Sequence, residues 1–248
     1  MPICSMCNKS DAVYMRHYSG ERLCEKCFKD PIEDKVRATI SKYKMFEPDD
    51  KVAVAVSGGK DSLSLLHILA DIEKNFPQTS ICAVTVDEGI KGYRDEALKF
   101  AAKNCQKLGI KHKIVSFKEM YEITLDELAE IIRDKEKNKL SPCSYCGVLR
   151  RRALNTAARQ TGANKLVTAH NLDDETQTIL LNIIHGDAIR IARVKPVLDK
   201  GHQKLVQRVK PFCEVPEKEK LQDCKLCGEP TPGEVCKPCQ MLQQLHIT

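Results

Sequence analysis

The sequence predicts an α/β protein built on a doubly wound, mostly parallel five-stranded sheet, with a small zinc knuckle at each end of the chain. Three observations predict it. Apolar, β-branched runs alternate with amphipathic helical stretches from about residue 50 onward, the pattern of βαβ units covered on both faces. One run, Val52-Ala53-Val54-Ala55-Val56, passes directly into the turn Ser57-Gly58-Gly59-Lys60-Asp61-Ser62. Ten of the 13 cysteines fall in five C-x-x-C pairs, four of them near the two chain ends.

Composition bounds the function classes. With 248 residues and 42% hydrophobic content, the chain can bury one core of domain size plus small appendages. No run reaches the roughly 18 apolar residues of a membrane span, and Met1-Pro2-Ile3-Cys4 opens no signal-peptide pattern. A cytoplasmic protein without a membrane partner is expected. The net charge of +6 favours a polyanionic partner. In a reducing compartment, paired cysteines mean metal or redox chemistry more often than structural disulfides.

Residues 1–30 hold Cys4-x2-Cys7-x16-Cys24-x2-Cys27, the spacing of a four-thiolate zinc module that folds a segment too short for its own core. Residues 31–49 form a linker helix that starts at Ile32 and carries Val36, Ile40 and Tyr43 on one face. The main domain spans 50–220. Its first strand, 52–56, leads through the Gly-rich turn to a helix with Leu63, Leu66, Leu69 and Ala70 on one face, for which Ser62 or Asp61 is the expected N-cap. Strand, Gly-rich turn and helix N-terminus together form an anion site, because backbone N–H groups and the helix dipole converge there. The turn is not a Walker loop, since Asp61 follows Lys60 and the leading Gly is absent, and it is not a G-x-G-x-x-G fingerprint.

A second strand over 81–86 ends at Asp87, and a helix with Ala97, Phe100, Ala101, Cys105 and Leu108 on its buried face leads to a third strand over 112–117. Parallel strands place their ligands at the carboxyl ends, so Asp87 stands where it could meet a ribose or a metal-bound phosphate, a reading favoured over the alternative of a simple turn former. Residues 118–140 read as helical and charged, with 133–139 a solvated face. Cys143 and Cys146 then open a helix that continues into Arg150-Arg151-Arg152, a setting that lowers thiol pKa and favours catalytic or cluster-ligating thiolates over the alternative of a structural role. A fourth strand over 165–169 ends at Ala169, followed by Asp173, which is either a ligand-facing carboxylate or the N-cap of a helix whose Ile179, Leu180, Ile183 and Ile184 pack on the sheet. The fifth strand covers 206–209. Residues 221–248 repeat the knuckle as Cys224-x2-Cys227-x8-Cys236-x2-Cys239. Cys82 and Cys105 read as packing residues, and Cys213 has no assignment.

These motifs carry a resemblance. The turn at 57–62 resembles the SGGxDS signature of the PP-loop ATP pyrophosphatases. Together with VAVAVSGGKDS at 52–62, VDEGIKGYRDEAL at 86–98, PCSYCGVLRRRALN at 142–155 and TAHNLDDETQT at 168–178, the chain is similar to the cytosolic and archaeal tRNA 2-thiouridine synthases that act on the wobble uridine. The resemblance implies that Ala55, Ser57, Gly58, Gly59, Lys60, Asp61, Ser62, Asp87, Arg150 and Ala169 contact ATP, with Asp173 lining the same crevice. It implies Mg²⁺, two Zn²⁺ and a 4Fe-4S cluster on Cys143 and Cys146, or sulfur carried by those thiols, with Lys60 and Asp61 taking part in catalysis. The implied partners are tRNA and a sulfur donor; a ubiquitin-like sulfur-carrier protein is one candidate donor and a homodimer one candidate assembly. One departure stands out. The family has a third active-site cysteine well after the EVPEKE segment, whereas here 214–220 runs almost directly into Cys224, and Cys213 does not match that position. The expected function is adenylation of a uridine carbonyl followed by replacement of oxygen with sulfur. The alternatives are another adenylating PP-loop enzyme of the lysidine-synthase kind, a non-catalytic zinc- and ATP-holding tRNA adaptor, or a metal-binding regulator that senses ATP.

Overall fold

The computed structural model describes residues 2–16, 19–92, 94–134, 141–217, 222–223 and 230–231. The chain divides into two units, one made of Met1–Tyr43, His170–Ile191 and Pro211–Thr248, the other of Lys44–Ala169 and Ala192–Lys210.

The first unit begins with a short antiparallel hairpin, β1 (Tyr14–Arg16) and β2 (Glu21–Leu23), followed by α1 (Glu25–Lys42). The helix starts before the expected Ile32. Cys24 is its N-cap, with Sγ accepting from the Cys27 N–H, and Pro31 lies inside it. Apolar periodicity does not report a cap made by a thiol, and Pro31, in the second turn, has no N–H to donate to the carbonyl of Cys27. Cys4, Leu23 and Cys24 form a small buried cluster under Tyr14 and Phe28. At the other end of α1, Lys42 and Tyr43 both bond Glu214, at 2.5 and 2.8 Å. Their hydrogen bonds hold the Glu214 carboxyl below the usual carboxylate range.

The second unit holds β3 (Lys51–Ala55), α2 (Lys60–Glu73), β4 (Ser80–Asp87), α3 (Arg94–Leu108), β5 (Lys111–Ser116), α4 (Phe117–Tyr121), α5 (Leu125–Asp134), α6 (Pro142–Gln160), β6 (Lys165–Val167) and β7 (Gln207–Val209). All five strands pair in parallel in the order β5-β4-β3-β6-β7. The five-stranded parallel sheet of the sequence reading is therefore present, each strand within two residues of its expected bounds. Connections run outward from β3 to one side and then return to the other, so the direction of winding reverses beside β3, and a crevice opens at its carboxyl end. The core joins Ala53, Val84, Val86 and Leu166 of the sheet to Ala153, Ala157 and Ala158 of α6, with Phe117 beneath. Small alanines let the helix approach the sheet closely.

The charged stretch after β5 is two helices rather than one. Ser116 and Glu119 close a capping box on α4, and Glu122 ends it with φ at 62° in the left-handed region. Residues 135–140 of that stretch lie outside the described residues.

In the first unit again, α7 (Leu172–Ile184) is followed by α8 (Ala188–Ala192), which crosses the unit boundary. Asn171, not Asp173, is the N-cap of α7, and Asp174 completes its capping box. Leu180, Leu181, Ile183 and Ile184 are exposed, which corrects the expectation that this face belongs to the core. Periodicity reports that a helix has an apolar face but not what covers it. No helix among the described residues is long and apolar enough to cross a membrane.

Phe117 is fully buried and meets Tyr121 edge-on with ring centroids 5.3 Å apart. Phe117→Ala is expected to lower stability by about 3–5 kcal/mol in urea titrations, the range for emptying an aromatic core position.

Candidate nucleotide and thiol site

The Gly-rich turn takes its shape from its own hydroxyls and one steric constraint. Gly58 has φ +86°, and a Cβ there would lie 2.1 Å from the Ala97 carbonyl oxygen, so only glycine fits. Gly59 is the N-cap of α2 and supplies no side-chain cap. Neither Ser62 nor Asp61 caps the helix, contrary to expectation, because the Ser62 hydroxyl is spent inside the turn. Its Oγ accepts from the Ser57 N–H at 3.1 Å and donates to the Gly59 carbonyl at 2.9 Å. Ser57 and Gly59 are exposed, and Lys60 and Asp61 lie on the first turn of α2. A helix start without a side-chain cap, at a strand's carboxyl end, directs backbone N–H groups and a positive dipole end toward an anion.

Asp87 ends β4, and its carboxylate accepts from the Gly89 N–H at 2.9 Å, which closes a local turn. The next residue matters more to the architecture. Glu88 is only 2% exposed and lies between two guanidiniums, 2.8 Å from Arg94 Nε and 2.6 Å from Arg150 Nε. Arg94 in turn donates to the Ser57 carbonyl at 2.9 Å and to the Val86 carbonyl. Arg150 Nη2 donates to Cys146 Sγ at 3.3 Å. A single run of contacts thus links the Gly-rich turn, the end of β4 and the thiol pair on α6. Sequence reasoning missed Glu88 and Arg94. The available signal was two charged residues within a few positions of a buried strand's carboxyl end, which reads as ordinary surface until the pairing is seen.

Cys143 and Cys146 occupy the opening of α6, where Ser141 is the N-cap and Pro142 the first helical residue. Cys143 is exposed and Cys146 buried. Burial pushes the Cys146 thiol up, against the opposing pull of Arg150. This corrects the expectation that both thiols are lowered, since desolvation outweighs the neighbouring charge. The two thiols suit sulfur transfer between neighbours. They supply two corners of a 4Fe-4S cluster, and among the described residues no third His, Cys, Asp or Glu joins them.

The N-terminal thiols do form a full set. The Sγ atoms of Cys4, Cys7, Cys24 and Cys27 all lie within 4.8 Å of one another. The backbone N–H of Cys7 draws the Cys4 thiol down to about 6, whereas the Cys24 thiol, followed by burial, pushes Cys27 up to about 12. Four thiolates this close repel unless a cation neutralises them, and soft sulfur donors in this number suit zinc. Cys224, Cys227, Cys236 and Cys239 lie outside the described residues.

Of the other expected ATP contacts, Ala55 is the last residue of β3 and Ala169 lies two residues past its neighbour β6, and both are half-buried. Asp173 belongs to the first unit, where its Oδ2 accepts from the Glu217 N–H at 2.7 Å.

Residues 29–226 match the PP-loop domain family. The chain is 40% identical over 218 residues to a cytoplasmic tRNA 2-thiolation protein 1 from Chlamydomonas reinhardtii, covering 88% of this chain and 59% of that protein. The counterpart from Xenopus laevis is 37% identical over 221 residues, covering 88% and 63%. The chain thus spans about three-fifths of the length of these curated relatives. Among solved structures, the U34-tRNA thiolase NcsA from Methanococcus maripaludis, determined with its 4Fe-4S cluster, is similar at 36% identity with a TM-score of 0.72, covering 88% of this chain and 69% of that one.

Gly58→Ala is expected to weaken ATP binding at least about tenfold in a calorimetric titration, since the added methyl collides with backbone that cannot yield. Gly162→Ala, also at positive φ but with open space around it, should lower stability by about 1 kcal/mol and leave ATP affinity unchanged. In metal analysis, Cys24→Ser is expected to lower the zinc content by one ion per chain relative to the unmodified protein.

Proposed function

The chain belongs to the PP-loop family, in the branch that holds the tRNA 2-thiolation proteins, and from that premise we propose that it is a cytoplasmic tRNA sulfurtransferase. It adenylates a uridine carbonyl with ATP and replaces the oxygen with sulfur to give 2-thiouridine at the wobble position. The observation that carries this reading is the run of contacts from Ser57 through Arg94, Glu88 and Arg150 to Cys146, which joins an ATP-type phosphate turn to a thiol pair.

The chemistry has one main obstacle, because the oxygen of a uracil carbonyl is a poor leaving group. Attack of that oxygen on the α-phosphate of ATP expels pyrophosphate and turns the oxygen into part of an AMP leaving group. The Gly58 N–H and the start of α2 hold the departing pyrophosphate. Lys60 and Arg150 offset the growing phosphate charge. Mg²⁺ supplies further charge neutralisation when bound, and Asp61 and Asp87 offer the hard oxygen ligands that suit it.

Sulfur transfer then falls to the thiols. Cys143, exposed, accepts a sulfane sulfur from a donor as a persulfide. Its terminal sulfur attacks the adenylated carbon, AMP leaves, and a disulfide joins the base to Cys143. Cys146 attacks the Cys143 sulfur, which releases 2-thiouridine and leaves a Cys143–Cys146 disulfide for an external thiol to reduce. A cluster of the kind in the archaeal relative would need ligands beyond these two thiolates. The net positive charge supports tRNA as the polyanionic substrate. The two cysteine knuckles are read as structural zinc sites.

Asp61→Ala is expected to lower ATP-dependent pyrophosphate release at least about 100-fold while tRNA affinity stays within about threefold; unchanged turnover would sink the loop assignment. Cys143→Ala should abolish 2-thiouridine formation, scored by nucleoside mass spectrometry, and leave pyrophosphate release intact, because the thiol acts after ATP.

A further inference from the structure

Glu88 is a carboxylate with almost no solvent contact, and both of its oxygens are engaged by guanidiniums from different elements. An arrangement of this kind is strongly held, because removing one partner leaves a buried charge uncompensated. Its two arms reach different halves of the site. Arg94, itself 7% exposed, fixes the Ser57 carbonyl. The Ser57–Gly58 peptide is trans, so holding that carbonyl toward Arg94 turns the Gly58 N–H the opposite way, away from the guanidinium. Arg150 keeps about half of its side chain exposed while its Nε is tied to Glu88 and its Nη2 to Cys146. Two guanidiniums share one carboxylate, so positive charge remains on the exposed Arg150 side, where a phosphate can approach.

We propose that Glu88 is the positioning residue that keeps the phosphate turn and the thiol pair in one fixed relation, acting through Arg94 on the Ser57–Gly58 peptide and through Arg150 on the charge beside Cys146. The inference rests on the sulfurtransferase reading above. Glu88 touches neither nucleotide nor base in this role. It acts by preorganisation, which affects the transition state more than the ground state.

The test is steady-state kinetics of pyrophosphate release and 2-thiouridine formation in Glu88→Gln, Glu88→Asp, Arg150→Ala and the Glu88→Gln/Arg150→Ala pair, with thermal melting alongside. Glu88→Gln should lower kcat at least about tenfold for both readouts, with KM for ATP within about threefold. Glu88→Asp, which keeps the charge, should recover part of the loss. In the Arg150→Ala background, Glu88→Gln should reduce thiolation by less than it does alone, since part of its effect passes through Arg150. A lowered melting temperature with kcat unchanged, or losses that simply multiply in the double variant, would overturn the proposal. Should Glu88→Gln fail to fold, Arg94→Lys gives the same decision: lysine keeps the charge facing Glu88 but cannot bridge the Ser57 and Val86 carbonyls, so kcat for pyrophosphate release should fall about tenfold, and a retained kcat overturns the inference. If instead the unmodified chain releases no pyrophosphate with ATP and tRNA, the sulfurtransferase reading fails on its own, separately from the role of Glu88.

Discussion

The Glu88 carboxylate, buried between Arg94 and Arg150, is the interaction on which the geometry of the site depends. Three charged groups at a strand end are costly to desolvate, and close ion pairing with bonds to backbone carbonyls offsets much of that cost here. Glu88 meets both guanidiniums, and Arg94 also bonds two backbone carbonyls. The matching gives the site rigidity. A turn rich in glycine has many conformations open to it, and the Arg94 bond to Ser57, the Ser62 hydroxyl and the close approach of Ala97 leave it one.

The sheet places that ion pair where chemistry can use it. The chain winds outward from β3 to β5 and then returns to the other side of β3 through β6 and β7, so neighbouring connections leave in opposite directions and open a crevice at the carboxyl ends. α6 crosses over the sheet with Ala153, Ala157 and Ala158 against it, which sets the depth at which its opening turn, with both thiols, arrives. Packing of three alanines well away from the thiols therefore governs how close Arg150 and Cys146 come to the strand ends.

The two thiols of α6 behave differently for a reason local charge does not supply. They share a helix start and a neighbouring arginine cluster, yet Cys146 is buried and its thiol is pushed up, while Cys143 faces solvent. A division of labour between an accessible sulfur carrier and a sheltered partner follows from that difference in burial. The N-terminal thiols show the contrasting case, in which four sulfurs gathered around a small cluster of Leu23, Tyr14 and Phe28 act as the core of a segment too short to have another.

Much was determined by the sequence itself. The apolar runs at 52–56 and 81–86, alternating with helical stretches, were enough to mark the central strands of a parallel sheet, because burial on both faces demands continuous apolar sequence; the edge strands Lys111–Ser116 and Gln207–Val209 carry a more polar pattern. The Ser57–Ser62 turn was legible because few residue types permit a tight strand-to-helix turn that exposes backbone to an anion, and the spacing of Cys4, Cys7, Cys24 and Cys27 marked their convergence. Only the tertiary structure decided which residues hold these parts together. Glu88 and Arg94 carry no periodic signal, since an ion pair is made between elements that are distant in sequence. The same limit hid the use of Ser62 within the turn, the burial that raises Cys146 and the exposure of Leu180 and Ile184 on α7. Each depends on what lies opposite a side chain, and periodicity along one chain segment holds no information about the segment that faces it.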